Sequence, residues 1–287
     1  MAWLRYEPPW PTPSDEPMIV RRVAVGGVTL AVETSGRGPA CLVLHGFTGS
    51  ARAMRPLTDG LDAALVVPDL IGHGETDAPT EVGPYRMEAI VAQLHGVLDA
   101  LAIDEAVVVG YSFGARVGLS FAVAHPERVR HLVTIGGTAG LADADEAAAR
   151  RRSDEALAAD IEDHGVEAFV DRWEQAPIFA SQHELPDHVR ATIRAGRLAN
   201  RAVGLANSLR GAGTGAMPPV WEALPTLSVA YTVAAGARDE KFVAIGRRMV
   251  ELAPHALLEI VAGAGHAAHI ESPAACQAIV QQALGSA

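Results

Sequence analysis

Four short apolar runs recur at a regular spacing in the first half of the chain. They are Ala40–Leu44 (ACLVL), 64–67 (ALVV), 106–109 (AVVV) and 131–135 (HLVTI), each running into glycine, proline or aspartate. Between them lie stretches at 51–61, 87–101 and Phe113–Ala124 whose apolar residues fall three and four apart, the helical period. A strand followed by a helix re-enters the same sheet in the same direction, so this rhythm points to an α/β fold with a mostly parallel central sheet and helices on both faces. Two alternating runs, 19–25 and 28–33, flank Gly26-Gly27 and read as a hairpin. After Gly136 the rhythm breaks, and from about 140 to 221 the chain is helix-like, rich in alanine and arginine, with no convincing strand. Strand patterning resumes at 228–234 (SVAYTVA) and 257–261, and a helix closes the chain over 272–284. The expected organisation is a core of 18–139 and 222–287, a helical cap of 140–221 lying over one edge of the sheet, and an N-terminal extension of 1–17. No internal repeat is present.

At 287 residues and 49% hydrophobic composition the chain has ample material for a buried core. Its formal net charge of -11 argues against nucleic acid or an anionic membrane as the main partner. No apolar run approaches the roughly 18 residues that span a bilayer, and the first seventeen residues place prolines and charges where a signal peptide needs an apolar stretch. The expectation is a cytoplasmic protein, a monomer or small homo-oligomer, with no membrane partner. Cys41 in a strand-like run and Cys276 in a helical pattern read as buried small hydrophobes, and neither a metal nor a cofactor is expected. Lys241 is the only lysine, and many of the arginines fall between Arg150 and Arg210. Coding bias accounts for arginines on the surface but not for where they sit.

In an open parallel sheet functional groups gather at the carboxyl ends of the strands, and Ser112 stands at such an end, where AVVV gives way to a helix. Gly110 and Gly114 complete G-x-S-x-G, a tight strand-to-helix turn that pushes a nucleophile's hydroxyl outward. A serine needs a histidine to take its proton, and that histidine needs a carboxylate to orient it. In this fold the partners follow in the order Ser, Asp, His, and Asp239 in Gly236-Ala237-Arg238-Asp239 and His266 in Gly263-Ala264-Gly265-His266 each follow a strand in that order. The backbone N–H groups of Phe47, after the ACLVL strand in His45-Gly46-Phe47, and of Phe113 are the candidate oxyanion hole. Each residue also has a plainer reading. Asp239 suits a helix N-cap, Glu240 is a rival acid and His269 a rival base, while Asp69 and His73 read as structural turn residues.

These motifs, from residue 20 to the end, resemble the α/β-hydrolase fold. Within it the chain resembles the 2-succinyl-6-hydroxy-2,4-cyclohexadiene-1-carboxylate (SHCHC) synthases of menaquinone biosynthesis. The local matches are LHGFTGS (44–50), GYSFGAR (110–116), Gly140-Leu141 followed by Arg150-x-x-x-Asp154, the W-x-Q-x-P-x-F of 173–179, GLANSLRGAGTG (204–215), GARDEKF (236–242) and AGHAAHIESP (264–273). The resemblance implies a lyase that eliminates pyruvate from 2-succinyl-5-enolpyruvyl-6-hydroxy-3-cyclohexene-1-carboxylate, a small-molecule tricarboxylate. It implies that Arg116, Arg150 and Arg197 grip carboxylates, with Tyr111 and Trp173 shaping the pocket, and that Ser112 acts as a base through His266. A serine carboxylesterase-type hydrolase of a small ester, built on the same three residues, is the alternative. Phe113 and Ala115 stand where methionine and glycine are frequent in that family.

Overall fold

In the computed structural model residues 18–285 are described; the expected extension of 1–17 lies outside them. Eight strands form one sheet: β1 (Ile19–Val25), β2 (Val28–Ser35), β3 (Ala40–Leu44), β4 (Ala64–Pro68), β5 (Ala106–Tyr111), β6 (Val129–Ile135), β7 (Ala230–Gly236) and β8 (Ala256–Val261). Their order is β1-β2-β4-β3-β5-β6-β7-β8. The β1–β2 hairpin turns on Gly26 and Gly27, both at positive φ as a tight hairpin requires. β2 pairs antiparallel with β4, and β4 through β8 run parallel.

The helices are α1 (Arg55–Thr58), α2 (Met87–Ala100), α3 (Phe113–Ala124), α4 (Ala144–Trp173), α5 (Asp187–Leu198), α6 (Ala202–Ala212), α7 (Glu240–Leu252), α8 (Ala268–Glu271) and α9 (Pro273–Gly285). The pleat divides the strand residues between two cores. Leu42, Leu44 and Val108 join Ile90 and Leu94 of α2 and Val117 and Phe121 of α3 on one face. Cys41, Val43, Val107 and Val109 join Leu57 of α1 and Cys276 and Val280 of α9 on the other. Both cysteines are free and buried, and burial pushes their thiols up to about 12. The helix expected over 51–61 is instead a 3-10 turn, Ala51–Met54, running into the single turn of α1. The Asp69 carboxylate captures the Ala51 N–H at 2.6 Å, and Asp59 turns extended after Thr58. Among the described residues no helix is long and apolar enough to cross a membrane.

Between β6 and β7 the chain forms α4, α5 and α6. Non-helical backbone at Gly165 breaks α4. Ala158, Ile161, Phe169 and Val170 of α4 pack on Leu205, Ala206 and Leu209 of α6 as a small core of their own. This layer lies over the carboxyl ends of the central strands, not over a lateral edge: a Cβ on Gly204 would fall 2.0 Å from the Gly72 carbonyl oxygen, in the loop after β4. Backbone meets backbone there, so neither side can yield by rotating a side chain. Gly204→Ala should therefore destabilise the protein by about 1 to 3 kcal/mol. By contrast Gly196 has open space around its Cα in the last turn of α5, so Gly196→Ala should stabilise by about 0.5 to 1 kcal/mol. Urea unfolding of the two variants reads both signs.

Candidate active site

Ser112 sits between β5 and α3 at φ 51°, ψ -103°, a region non-glycine residues rarely enter. The turn is held from both sides, because the Ser112 N–H donates to the Ile135 carbonyl at 2.8 Å while the Ser112 carbonyl accepts from the Arg116 N–H at 3.2 Å. The flanking glycines are required by space. A Cβ on Gly110 would lie 2.2 Å from the Gly114 carbonyl oxygen, and one on Gly114 would lie 2.2 Å from the Leu44 carbonyl oxygen.

His266 Nε2 lies 3.0 Å from Ser112 Oγ, and His266 Nδ1 lies 2.7 Å from Asp239 Oδ2. A carboxylate on Nδ1 fixes the proton there and leaves Nε2 free to accept the serine proton. Asp239 stands at the start of α7 but makes no cap bond; its side chain is committed to His266. Glu240 is exposed on the first turn of α7. His269 is buried against Tyr111, ring centres 4.1 Å apart, and burial, with the neighbouring His266, pushes it down to about 3. A group so hard to protonate is a poor proton acceptor. Sequence reasoning missed Glu271, whose two oxygens accept the N–H groups of Gly265 at 2.6 Å and Ala267 at 3.2 Å and so bracket His266.

The loop after β3 lies against the elbow: a Cβ on Gly46 would meet the Tyr111 ring at 2.7 Å and Ser112 Cβ at 3.6 Å. This puts Phe47 beside the serine. His45 braces the loop, its Nε2 accepting the Leu70 N–H at 2.9 Å and its Nδ1 lying 2.8 Å from the Gly46 carbonyl. Burial pushes His45 down to about 4 and His73 down to about 3. Both are neutral packing groups. Asp69 takes the backbone N–H of Ala51 and, at 2.8 Å, that of Glu75, which fits its structural reading. Over the serine a line of rings connects loop, cap and histidine. Phe47 meets Trp173 at 5.7 Å, Trp173 meets Phe179 at 5.5 Å, and Phe179 meets His266 at 6.5 Å. Trp173 Nε1 is buried with no acceptor. From the cap, Asn200 Nδ2 donates to the Thr48 carbonyl at 2.8 Å, tying α5 to the loop.

Arg116, one turn past Ser112, leaves the elbow toward the cap. Its Nη1 donates to the Ala212 carbonyl at 2.6 Å, and burial, reinforced by the neighbouring Arg150, pushes its pKa down to about 10. Arg150 is bound through Nε alone, at 2.7 Å from Asp154 Oδ1. Arg197 is buried and already engaged by Glu174 Oε1 at 3.3 Å and Gln182 Oε1 at 3.1 Å, with its guanidinium over Phe179. The sequence-predicted arginines therefore differ in how much of each is spent. One group of potential metal ligands exists among the described residues, His95, His125 and Glu127, at the far end of α3 from Ser112. Arg128 engages His95 there, with Nη1 2.8 Å from His95 Nε2 and its other nitrogens anchored on the Asp104 and Ile103 carbonyls.

A family model described as alpha/beta hydrolase fold matches residues 39–273. A Bacillus subtilis (strain 168) protein provisionally named 2-succinyl-6-hydroxy-2,4-cyclohexadiene-1-carboxylate synthase is 41% identical over 263 residues, covering 91% of this chain and 96% of that one. A Klebsiella pneumoniae protein bearing the synthase name is 30% identical over 90% of this chain and 99% of its own length. Among solved structures, MenH from S. aureus superposes with a TM-score of 0.83 at 29% identity, over 89% of this chain and 98% of that one. The enol-lactonase from Burkholderia xenovorans LB400, with a TM-score of 0.80 at 22% identity, shares the fold. The elbow, the strand order and these matches lead to one conclusion: the chain belongs to the α/β-hydrolase fold family and, within it, to the family of the 2-succinyl-6-hydroxy-2,4-cyclohexadiene-1-carboxylate synthases.

Proposed function

We propose that this chain is the lyase that eliminates pyruvate from 2-succinyl-5-enolpyruvyl-6-hydroxy-3-cyclohexene-1-carboxylate to give SHCHC. Ser112, His266 and Asp239 act as a proton-transfer unit, and Arg116 and Arg150 act as carboxylate grips. One observation carries the reading. In a chain of net charge -11, two arginines stand at the cap–core seam with guanidinium nitrogens that no group among the described residues takes. A buried guanidinium such as that of Arg116, which no carboxylate among the described residues contacts, is costly unless an anion comes to it. A planar guanidinium meets a carboxylate through two parallel hydrogen bonds, and three carboxylates on one substrate offer that match. The Trp173 Nε1–H, buried with no acceptor among the described residues, is a further donor.

In this mechanism His266 Nε2 takes the Ser112 proton, and Ser112 Oγ removes a ring proton from the substrate. The C–H electron pair passes into the ring as the bond to the enolpyruvyl oxygen breaks; the ring proton restores the Ser112 hydroxyl, and the departing enolate takes the proton held by His266 and tautomerises to pyruvate. Backbone N–H groups of Phe47 and Phe113 stabilise the negative oxygen that develops near Ser112. Asp239 stabilises the imidazolium without taking its proton. Arg197, held by Glu174 and Gln182, joins the grip by exchanging one of these for a carboxylate. No acyl-enzyme forms, and no water is consumed. The reading places the enzyme in the cytoplasm, acting on a soluble anion.

Ser112→Ala, His266→Ala and Asp239→Asn are each expected to cut pyruvate release by at least about 100-fold, with losses that do not add, because they disable one unit. A full rate in Asp239→Asn alongside a crippled Glu240→Gln would reassign the acid.

Arg116→Ala and Arg150→Ala should each cost about 1.5 to 3 kcal/mol in kcat/KM on the tricarboxylate, as expected when a charged hydrogen-bond partner is lost. Turnover of a neutral nitrophenyl ester should barely change. Equal losses on both substrates would reduce these residues to scaffolding.

Rapid quench with intact-protein mass spectrometry separates the lyase from an esterase. A serine that only borrows a proton stores nothing on oxygen, so the protein mass should stay unmodified throughout turnover. An adduct on Ser112 that forms and decays at the turnover rate would overturn the mechanism. Brisk ester hydrolysis with no pyruvate release would overturn the function.

A further inference from the structure

Between the two arginines sits a group that the proposed chemistry does not use. Asp154 lies one turn after Arg150 on α4, and its side chain is only 5% exposed, whereas that of Arg150 is 43% exposed. Its Oδ1 accepts from Arg150 Nε, and its Oδ2 is buried with no hydrogen-bond partner. A buried carboxylate oxygen without a donor costs stability, and proteins retain such groups where the charge itself is needed. The surroundings are shaped for this carboxylate. A Cβ on Gly213 would fall 2.4 Å from Asp154 Oδ2, and one on Gly215 would fall 3.0 Å from Arg150 Cβ. The G-T-G segment thus packs on α4 around the Arg150–Asp154 pair. One residue before it, the Ala212 carbonyl receives Arg116.

We propose that Asp154 is a positioning residue that sets specificity for the polyanionic substrate, holding Arg150 by its Nε edge and supplying the one negative charge that lets Arg116 and Arg150 share the seam before substrate arrives. The inference rests on the function proposed above. Charge supports it in both directions: Arg150 pushes the Arg116 pKa down, and Asp154 pulls it up. Geometry adds the second half. A guanidinium bound through Nε alone keeps both terminal nitrogens for a carboxylate. With two cations and one anion the empty seam carries a net positive charge, so it attracts an anion without the full repulsion of a bare arginine pair. Removing the anion has two opposed effects. It adds one unit of attraction for substrate, which is worth little at a half-exposed, salt-screened guanidinium. It also releases Arg150 into solvent, which removes a charged grip. The second effect is the larger.

The test is Asp154→Asn, which keeps the shape and removes the charge. KM for the enolpyruvyl substrate should rise by about tenfold or more while kcat changes far less, in line with the loss of a charged partner from a binding site. Calorimetric affinity for propane-1,2,3-tricarboxylate should fall by a similar factor, with the urea midpoint reporting that the fold is kept. On an Arg150→Ala background the same change should add less than about twofold, because Asp154 acts through Arg150. An unchanged KM and affinity in Asp154→Asn, or its full loss repeated on the Arg150→Ala background, would overturn the proposal. Failure of the wild type to bind the tricarboxylate would also overturn it, even where pyruvate is released. Binding that is lost in Asp154→Asn, with no pyruvate release by the wild type, would instead sink the lyase reading and leave the arrangement of Asp154 standing.

Discussion

The contact on which the site depends is between backbones: α3 begins so close to β3 that nothing larger than glycine fits at position 114, against the Leu44 and His45 carbonyls. That approach forces the chain at Ser112 to positive φ. The strain is sustained because β6 takes the Ser112 N–H and α3 takes its carbonyl. Three consequences follow from the one turn. The hydroxyl projects from the end of the sheet toward His266, Phe113 opens the helix directly after it, and Arg116 emerges one turn later, under the cap. The proposed proton-transfer group and the proposed carboxylate grip are thus placed by a single backbone constraint.

Charge at the seam is handled by residues that hold their state. Three histidines around the site, His45, His73 and His269, are kept neutral by burial, at about 4, about 3 and about 3. They fill space and fix loops without adding cations. The positive field comes from arginine, which keeps its proton even where burial pushes Arg116 down to about 10. In the proposed mechanism anion attraction at this seam is therefore insensitive to pH across the neutral range, and proton transfer falls to the Ser112–His266–Asp239 chain. Lysine at Arg116 would offer a single ammonium in place of a planar set of donors, and could not hold the Ala212 carbonyl while presenting further nitrogens at fixed angles.

The eight strands were legible because short runs, continuous and apolar in the centre and alternating in the hairpin, bounded by glycine, proline or aspartate, have few other uses. The order Ser112, Asp239, His266 was legible because the fold admits the carboxylate and the histidine at particular strand ends. The segment 51–61 was not, since its apolar spacing is helical and only the distant Asp69 carboxylate, which takes the Ala51 N–H, shows why the helix stays short. The partners of the site residues were hidden for a related reason. Glu174 and Gln182 reach Arg197 from 23 and 15 residues away, and before folding they look like any solvated helix face. Glu271 is local, but a glutamate five residues after a histidine has no periodic signature. Asp154 entered only through the family's R-x-x-x-D pattern, as a spacing without a stated role.

The cap differs from the core in what its glycines do. In the core, Gly110 and Gly114 serve a turn that any chemistry on this fold needs. In the cap, Gly204 lets α6 sit backbone to backbone on the loop after β4, and Gly213 leaves room for the Asp154 carboxylate. The first anchors α6 rigidly to the core; the second uses that anchored position to set a charge beside Arg150. Because Ala212 and Gly213 are adjacent, the carbonyl that holds Arg116 and the space that admits Asp154 belong to one segment. Any displacement of the end of α6 therefore moves the carbonyl that holds Arg116 and the wall beside Asp154 together. The proposed grip on an anion would therefore depend on how α6 is seated, because the Ala212 carbonyl and the space beside Asp154 both lie at its end.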